Sequence, residues 1–211
     1  MNSIKTLFFS SLIFSTLTSL SQSSEIISEE GWEYVKSKND VEVYSKKLTR
    51  YEIEAFKVTG LIEGSREAVT DLIMDIEGFV DWYPNCTAGE VLDGSTETEQ
   101  FRRLEFKLPW PFDNRDVVNK LEVSSYPDST WIQIINAADY VPQLKNVYRV
   151  GRTEGYWSIV EEKEDQIRLT YAAAGEPGGF PNWIVNMFLF DSPLEAINNL
   201  REIVKKRQVS E

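Results

Sequence analysis

The order of segments along the chain is the feature that most constrains its fold. Many short strand-like segments come first, and one long amphipathic helical segment follows. Apolar and polar residues alternate, as in half-buried strands, at residues 41–45, 51–62 and 115–125, and further strands are predicted at 100–108, 131–137, 155–160 and 167–173. Short turns between such segments favour antiparallel pairing. From Pro181 to about Arg207 the spacing becomes helical, with an apolar stripe formed by Leu194, Ile197, Leu200 and Val204. An antiparallel sheet needs cover on one face, so we predict an α+β fold, a curved antiparallel sheet wrapped around a long C-terminal helix.

This arrangement predicts a gap between the sheet and the helix, because the two elements have different curvatures. Side chains can fill such a gap, or a ligand can occupy it. The chain has 11 Phe, 9 Tyr and 6 Trp residues, which fits both a filled core and an aromatic-lined cavity. Composition alone leaves these two alternatives open.

Local signals predict four shorter features. The pattern of Glu29–Lys36 indicates a short helix or a turn. Ser65 can cap a helix, because apolar residues follow it at helical spacing. Residues 79–84 indicate an aromatic turn or a short second helix. The run Ser192-Pro193-Leu194-Glu195 is typical of a capping box, so the C-terminal helix is expected to restart or kink there.

Composition excludes several classes of function. The formal charge is −12 at pH 7, and such an acidic surface repels phosphates, so we expect no nucleic-acid partner. The chain has no histidine, which excludes a Ser–His–Asp triad, a Cys–His pair and the commonest zinc ligand. Cys86 is the only cysteine, and we expect a buried, inert thiol there. We predict no metal site and no cofactor.

The first 23 residues have the pattern of a signal peptide. Lys5 gives a positive start, residues 6–20 are uncharged and rich in Leu, Phe and Ile, and the small residues before Ser24 suit cleavage. The apolar run is short for a membrane span, which needs about 20 apolar residues, and an uncleaved anchor is the alternative. We therefore expect a signal peptide at 1–23, one domain at 24–211, and export to the periplasm or secretion.

Three segments together resemble START domains, the lipid-transfer domains related to the steroidogenic acute regulatory protein. The first is similar to the family's Pro-rich segment with an Arg-Asp pair: Leu108-Pro109-Trp110-Pro111-Phe112-Asp113-Asn114-Arg115-Asp116-Val117-Val118. The second resembles the start of the family's C-terminal helix: Gly178-Gly179-Phe180-Pro181-Asn182-Trp183-Ile184-Val185-Asn186. The third resembles the Trp-containing segment after the internal helix: Asp81-Trp82-Tyr83-Pro84. The resemblance covers about residues 25–207.

The resemblance implies a helix-grip fold with an internal apolar tunnel. It also implies binding of one lipid, such as a sterol, phospholipid or ceramide, for transfer or sensing by a monomer. In the family, the loop before the last strands and the C-terminal helix form the gate, which implies a gate at residues 139–146 here. Apolar side chains in that loop suit a lid in transient contact with a membrane, and an ordinary packed loop is the alternative.

Arg115 matches the family arginine that can face the cavity. A buried guanidinium must be paired and hydrogen-bonded, and Glu105 on the neighbouring strand is the candidate partner. A local surface pair between Arg115 and Asp116 is the open alternative. The predicted ligand-binding residues are Arg115, Glu105, Trp110, Tyr140, Val141, Leu144, Trp183, Met187 and Phe188.

We expect ligand binding without catalysis, and two alternatives remain. The first is an enzyme, since related helix-grip folds include cyclases and hydrolases, and Glu, Asp or Tyr could serve as acid–base groups. The second is a module that binds a protein and whose cavity is filled by aromatic side chains. A lipid that co-purifies with the protein would favour the carrier over both.

Overall fold

The computed structural model describes residues 25–178, 180 and 182–210, so the predicted signal peptide at 1–23 lies outside the described residues. Within them ten strands form one sheet: β1 (Glu33–Lys38), β2 (Val41–Lys46), β3 (Ala55–Glu63), β4 (Cys86–Val91), β5 (Glu99–Phe106), β6 (Asn114–Ser125), β7 (Ser129–Asn136), β8 (Val147–Arg149), β9 (Thr153–Lys163) and β10 (Gln166–Gly175). The helices are α1 (Arg66–Met74), α2 (Phe79–Trp82), α3 (Asn182–Asn186) and α4 (Ser192–Ser210), and a π-helix at Met187–Asp191 joins α3 to α4.

The sheet runs in the order β1-β2-β3-β10-β9-β7-β6-β5-β4, and these neighbours are antiparallel. The short β8 pairs in parallel with the first residues of β6. Helix α4 packs against β2, β3 and α1. The predicted α+β fold, a curved antiparallel sheet around a long C-terminal helix, is confirmed. In the described part of the chain, no helix combines the length and the apolar character that a bilayer crossing requires.

Helices α1 and α4 bury the apolar faces that the sequence predicts. Ser65 is extended, and its hydroxyl accepts a hydrogen bond of 3.1 Å from the Ala68 N–H, as expected of a capping residue. The buried face of α1 consists of Val69, Leu72 and Ile73. The buried stripe of α4 consists of Leu194, Ile197, Leu200 and Val204. Both faces belong to the main core, which they form with one face of the sheet.

Three strands differ from the sequence prediction. Strand β1 occupies much of the segment predicted as a helix or turn, because Asn39 and Asp40 both have positive φ (53° and 57°) and fold β1 back onto β2. The sequence predicts neither β4 nor β8. Strand β4 is mostly exposed and β8 has only three residues, so neither has an alternating pattern that a sequence reading could detect.

At Ser192 the α-helix restarts after the π-helix, as predicted, but the predicted capping box is not formed. The φ and ψ of Ser192 are helical (−62° and −46°), and its N–H donates to the carbonyl of Met187 five residues earlier, so Ser192 is not a capping residue. Its hydroxyl accepts a hydrogen bond of 3.3 Å from Asn85 Nδ2 instead. Pro193 has no N–H to donate, so one helical hydrogen bond is missing at this position. The π-helix, with its one extra residue, lies directly before it.

Aromatic side chains fill much of the layer between the sheet and α4. Trp157 stacks on Tyr171 with ring centroids 3.8 Å apart, and Trp82 meets Trp157 edge-on at 6.2 Å. Cys86 is buried in the same core, as predicted. Burial raises the pKa of its thiol to about 11. This aromatic cluster closes one end of the layer, and the other end contains the cavity described next.

Candidate ligand-binding cavity

A cavity of about 180 Å³ lies between the sheet and the segment that leads into α4. Its wall is formed by side chains of β3, β5, β6, β7, β9, β10 and α2, by neighbouring loop residues and by residues between 175 and 189. Most of these side chains are apolar, among them Phe56, Phe79, Leu104, Val117, Ala173 and Ile184. The cavity therefore occupies the gap that the difference in curvature between sheet and helix predicts.

Paired residues of β5 and β6 form the floor of this cavity. Three successive cross-strand pairs contribute all six side chains to the wall: Arg102–Asn119, Leu104–Val117 and Phe106–Arg115. The first pair is buried, with 2% and 5% exposure, and the last pair is partly exposed. The rise of a strand separates the two arginines by about 13 Å along the floor. The cavity thus has a closed end at Arg102 and an end nearer the solvent at Arg115.

Arg102 is the buried charge of the closed end. Its Nε donates to Asn119 Oδ1 (3.3 Å), and its Nη1 donates to the Ile73 carbonyl in the last turn of α1 (3.2 Å). Its guanidinium carbon lies 5.1 Å from the centre of the Phe79 ring. Burial lowers the pKa of Arg102 to about 10, so the guanidinium remains protonated at neutral pH.

Two tyrosines lie beside Arg102. The Tyr83 hydroxyl donates to the Tyr171 hydroxyl, and the rings meet edge-on with centroids 6.4 Å apart. Burial raises the pKa of both phenols, so both are neutral at pH 7. We call Tyr83, Arg102, Asn119 and Tyr171 the polar end, because they place hydrogen-bonding groups together at the closed end of the cavity. The wall has other polar residues elsewhere, among them Glu154, which binds Arg50.

Arg115 joins two chain segments at the more exposed end. Its Nε donates to the Pro177 carbonyl (2.9 Å), and its Nη1 donates to the Asp113 carbonyl (2.6 Å). The guanidinium lies against two rings, 4.4 Å from the centroid of Tyr148 and 4.3 Å from that of Phe180. Arg115 thereby connects the β5–β6 loop to the segment that precedes α3. Partial burial lowers the pKa of this guanidinium.

Comparison with known proteins shows which solved structures share this fold. A scan of protein-family models gives no match. An uncharacterised protein of Pseudomonas aeruginosa is 27% identical over 180 residues, which are 84% of this chain and 89% of that protein. A STAR-related lipid transfer protein from Xanthomonas axonopodis is 27% identical over 83% of this chain and 99% of that crystallised fragment, with a TM-score of 0.75. Human StAR-related lipid transfer protein 5 is 18% identical over 93% of this chain and 99% of that chain, with a TM-score of 0.79. The chain has the fold of START domains.

The same fold also occurs in an enzyme. The Zhui aromatase/cyclase of Streptomyces sp. R1128 matches 72% of this chain and 94% of that chain, with 11% identity and a TM-score of 0.55. The identity and the TM-score are both lower than those of the lipid transfer proteins above. This likeness concerns the fold alone, and a shared fold does not decide between binding and catalysis.

The fold brings two of the nine predicted ligand-binding residues to the described cavity wall, Arg115 and Phe188. Trp110 is 93% exposed in the β5–β6 loop. Met187, in the π-helix, does not belong to the wall as described. Trp183 belongs to α3, and its side chain lies outside the described part of the chain. Contact of any of these residues with a ligand stays a prediction.

The expected pair between Arg115 and Glu105 is not formed. Glu105 is opposite Asp116 in the ladder, and successive residues of a strand point to opposite faces, so Glu105 and Arg115 lie on different faces of the sheet. Asp116 does not pair with Arg115 either. It is fully buried, and its Oδ2 accepts hydrogen bonds of 2.9 and 2.7 Å from Arg149. Both expectations are wrong, since the acceptors of Arg115 are backbone carbonyls.

The loop at 139–146 lies on the outer face of the sheet. Tyr140 stacks on Phe101 with centroids 4.1 Å apart, and Phe101 points away from the cavity because its neighbour Arg102 points into it. Buried Arg149 donates to two carbonyl groups of the loop. The expectation that this loop covers the cavity is therefore not met. Three predicted ligand-binding residues lie on it: Tyr140, Val141 and Leu144.

The sequence interpretation missed the polar end. On β5 the alternating set Arg102, Leu104 and Phe106 has two apolar members, which is a signal that this set faces inward. The opposite set also contains an aromatic residue, Phe101, so the signal is weak. Tyr83 and Asn119 lie in segments that the sequence predicts correctly, but no pattern predicts that they meet Arg102.

Proposed function

We propose that this protein binds one small apolar molecule in its cavity and carries or senses it without changing it chemically. The cavity itself is the observation that supports this proposal. Protein interiors leave few voids larger than a water molecule, whereas a volume of about 180 Å³ lies within this largely apolar wall. A core that only had to be packed would gain stability by filling it.

The volume favours a ligand with a single chain or ring. Pockets for drug-sized ligands measure about 300–1,000 Å³, and an engineered apolar cavity of about 150 Å³ binds benzene. A cavity of about 180 Å³ therefore suits one alkyl chain or one small ring better than a whole sterol or a two-chain phospholipid. Each buried CH₂ group contributes about 0.8 kcal/mol, so an alkyl chain gains affinity without any catalytic group.

In this proposal the ligand passes between the β5–β6 loop and residues 176–180, where Arg115 joins the two segments. Phe112 of that loop packs edge-on against Phe180 of the wall, with centroids 5.7 Å apart. Trp110 in the same loop is 93% exposed. An exposed tryptophan beside an apolar opening supports transient contact with a membrane interface during ligand exchange.

The proposal also assigns the domain to a compartment outside the cytoplasm. The support is the signal-peptide pattern of residues 1–23. N-terminal sequencing of the protein isolated from its natural host should give Ser24 as the first residue. An N-terminus at Met1 would contradict export by cleavage.

Filling the cavity tests the proposed binding. Val117→Phe adds a ring in the middle of the floor, and a single ring needs most of a volume of this size. Val91→Phe makes the same change on the exposed strand β4 and is the matched control. Isothermal titration calorimetry with octan-1-ol measures the affinity. We expect the wild type and Val91→Phe to bind alike, and Val117→Phe to bind at least about tenfold more weakly, because the chain can no longer be buried.

Native mass spectrometry of the protein from its natural host tests the same point without a chosen probe. A co-purifying molecule should be present in the wild type and in Val91→Phe and absent from Val117→Phe. Equal binding of octan-1-ol by all three proteins, or binding by none, would overturn the proposal. Conversion of the bound molecule into a product would favour an enzyme instead.

A further inference from the structure

We propose that the polar end selects a ligand with one negative charge, a monocarboxylate, and holds the carboxylate against Arg102. This inference rests on the proposed function, because it names the chemical class of the ligand in the same cavity. The observation behind it is a guanidinium that is 2% exposed, lines the cavity and has no opposite charge among its described partners.

The described surroundings of Arg102 are neutral. Its hydrogen-bond acceptors are the side-chain amide of Asn119 and the carbonyl of Ile73. The titratable groups that act on its charge are two phenols and a thiol: Tyr171, Cys86 and Tyr83. Burial raises the pKa of all three groups, so each is uncharged at pH 7.

An unpaired buried charge is unusual, because removing a charge from water costs more than a protein normally tolerates without a partner. Arg149 follows the usual rule, since the carboxylate of Asp116 neutralises it. Arg102 also retains donors. A guanidinium has five N–H groups, and among the described residues Nε and Nη1 of Arg102 make hydrogen bonds while Nη2 makes none. An acceptor on a ligand can complete this group.

The charge of Arg102 fixes the sign of the ligand head. With a pKa of about 10, the guanidinium is protonated throughout the physiological pH range. The guanidinium is already removed from water in the protein without ligand, so ligand binding carries no further cost for its desolvation. A monoanion balances this single charge. A dianion would leave a buried negative charge unpaired, and a cation would repel the guanidinium.

The position of Arg102 also orients the ligand. Arg102 lies at the closed end, about 13 Å from Arg115 along the floor, and the floor between them is formed by Leu104 and Val117. The carboxylate therefore lies deepest, and the apolar tail points towards the opening. Among the described residues Arg115 also donates through Nε and Nη1 only, but it lies at the more exposed end, where water weakens its attraction for a head group.

A purely structural role for Arg102 predicts a different result. Its bond to the Ile73 carbonyl places a cation at the C-terminal end of α1, which stabilises a helix without any ligand. In that case, removal of the guanidinium would lower stability and would weaken all ligands alike. The decisive measurement therefore compares ligands that differ only in their head group.

Isothermal titration calorimetry can compare octanoate, octan-1-ol and octylammonium on the wild type, Arg102→Met and Arg103→Met. Arg103 points to the outer face and pairs with Glu90, so Arg103→Met makes the same change outside the cavity. We expect the wild type and Arg103→Met to bind octanoate at least about tenfold more tightly than octan-1-ol, because charge-assisted hydrogen bonds are the strong ones. Octylammonium should bind weakest. Arg102→Met should lose this preference, so that the ratio of its affinities for octanoate and octan-1-ol falls to about one.

Equal affinity of the wild type for octanoate and octan-1-ol would overturn this inference and leave the proposed function intact. Octanoate preference that survives in Arg102→Met would overturn it as well. The proposed function fails separately, if the wild type does not bind octan-1-ol or if Val117→Phe binds it unchanged. Should Arg102→Met not fold, as judged by circular dichroism, the octanoate-to-octan-1-ol ratio of the wild type decides alone.

Discussion

Three arginines of this protein differ in role because they differ in burial and in hydrogen-bond acceptors. Arg115 donates to carbonyls of two segments and joins them at the more exposed end of the cavity. Arg149 is neutralised by Asp116 and holds the loop at 139–146 on the outer face. Arg102 is buried beside one amide and one carbonyl, and its unused donors are the basis of the proposed carboxylate site. The acceptors around each guanidinium, rather than its charge, therefore indicate its role.

Removal of the Asp116 carboxylate should destabilise the domain strongly. Asp116→Ala leaves the buried Arg149 without its counter-charge, and the expected loss is about 3–5 kcal/mol in the free energy of unfolding. Urea titrations followed by tryptophan fluorescence measure it. Glu90→Ala is the control, because the Glu90–Arg103 pair is partly exposed and should contribute less than about 1 kcal/mol. Equal losses in the two variants would refute the role assigned to Asp116.

Cys86 should react slowly with thiol reagents in the native protein. Burial raises the pKa of its thiol to about 11, so at pH 8 about one molecule in a thousand carries a thiolate, against about a quarter in an unfolded chain. Labelling with Ellman's reagent at pH 8 should therefore require unfolding in urea. Because the unfolded thiol loses its proton first, its contribution to stability is present below about pH 9 and declines as the pH rises towards 11. Rapid stoichiometric labelling of the folded protein would contradict this burial.

At the scale of elements, the π-helix Met187–Asp191 shapes one side of the cavity. Phe188 and Leu189 contribute to the wall from this element. One extra residue in a turn rotates the side chains on one side of it by about 100° relative to a regular α-helix. A continuous α-helix through Ser192 would therefore turn these two side chains towards different neighbours. The irregular turn sets both the packing of α4 and the lining of the cavity.

The N-terminus of α1 offers a clean test of element stability. Ser65→Ala removes the acceptor of the Ala68 N–H, and we expect a loss of about 1 kcal/mol in the free energy of unfolding. Ser65→Asp should restore most of it, since a carboxylate also caps and suits the helix dipole. Ser124→Ala is the control, because Ser124 is an exposed residue of β6, and it should change the free energy of unfolding by less than about 0.5 kcal/mol. A loss in Ser124→Ala equal to that in Ser65→Ala would remove the capping explanation.

Elements with long periodic patterns could be predicted from the sequence, whereas features that depend on single tertiary contacts could not. The alternation over 115–125 and the helical spacing after residue 192 span many residues, so β6 and α4 could be predicted. Strand β4 is an exposed edge, and its burial leaves no periodic trace in the sequence. The side on which the loop at 139–146 packs depends on one tertiary contact between Tyr140 and Phe101. Prediction of the polar end required knowing which face of β5 carries Arg102. The sequence does not decide this, because charged and apolar residues occur on both faces of β5.

At the scale of the whole molecule, an acidic chain contains a cavity with a buried cation. The formal charge of −12 repels anionic lipid head groups, although salt screens this repulsion beyond about 10 Å at 0.1 M ionic strength. Electrostatic attraction therefore cannot bring the domain to an anionic bilayer. Any contact with a membrane must come from local apolar side chains, and exposed Trp110 in the β5–β6 loop is the candidate.

Trp110→Ala should weaken the association of the domain with phosphatidylcholine vesicles about tenfold or more, because a tryptophan supplies a large apolar area to an interface. Vesicle flotation in a sucrose gradient measures the bound fraction. Tyr126→Ala is the control, since Tyr126 is also exposed but lies in the turn between β6 and β7. Trp110→Ala should keep its affinity for octan-1-ol, because the side chain is not part of the cavity wall. Addition of phosphatidylglycerol should reduce binding at low salt, and an increase would show that a basic surface, rather than the apolar loop, contacts the membrane.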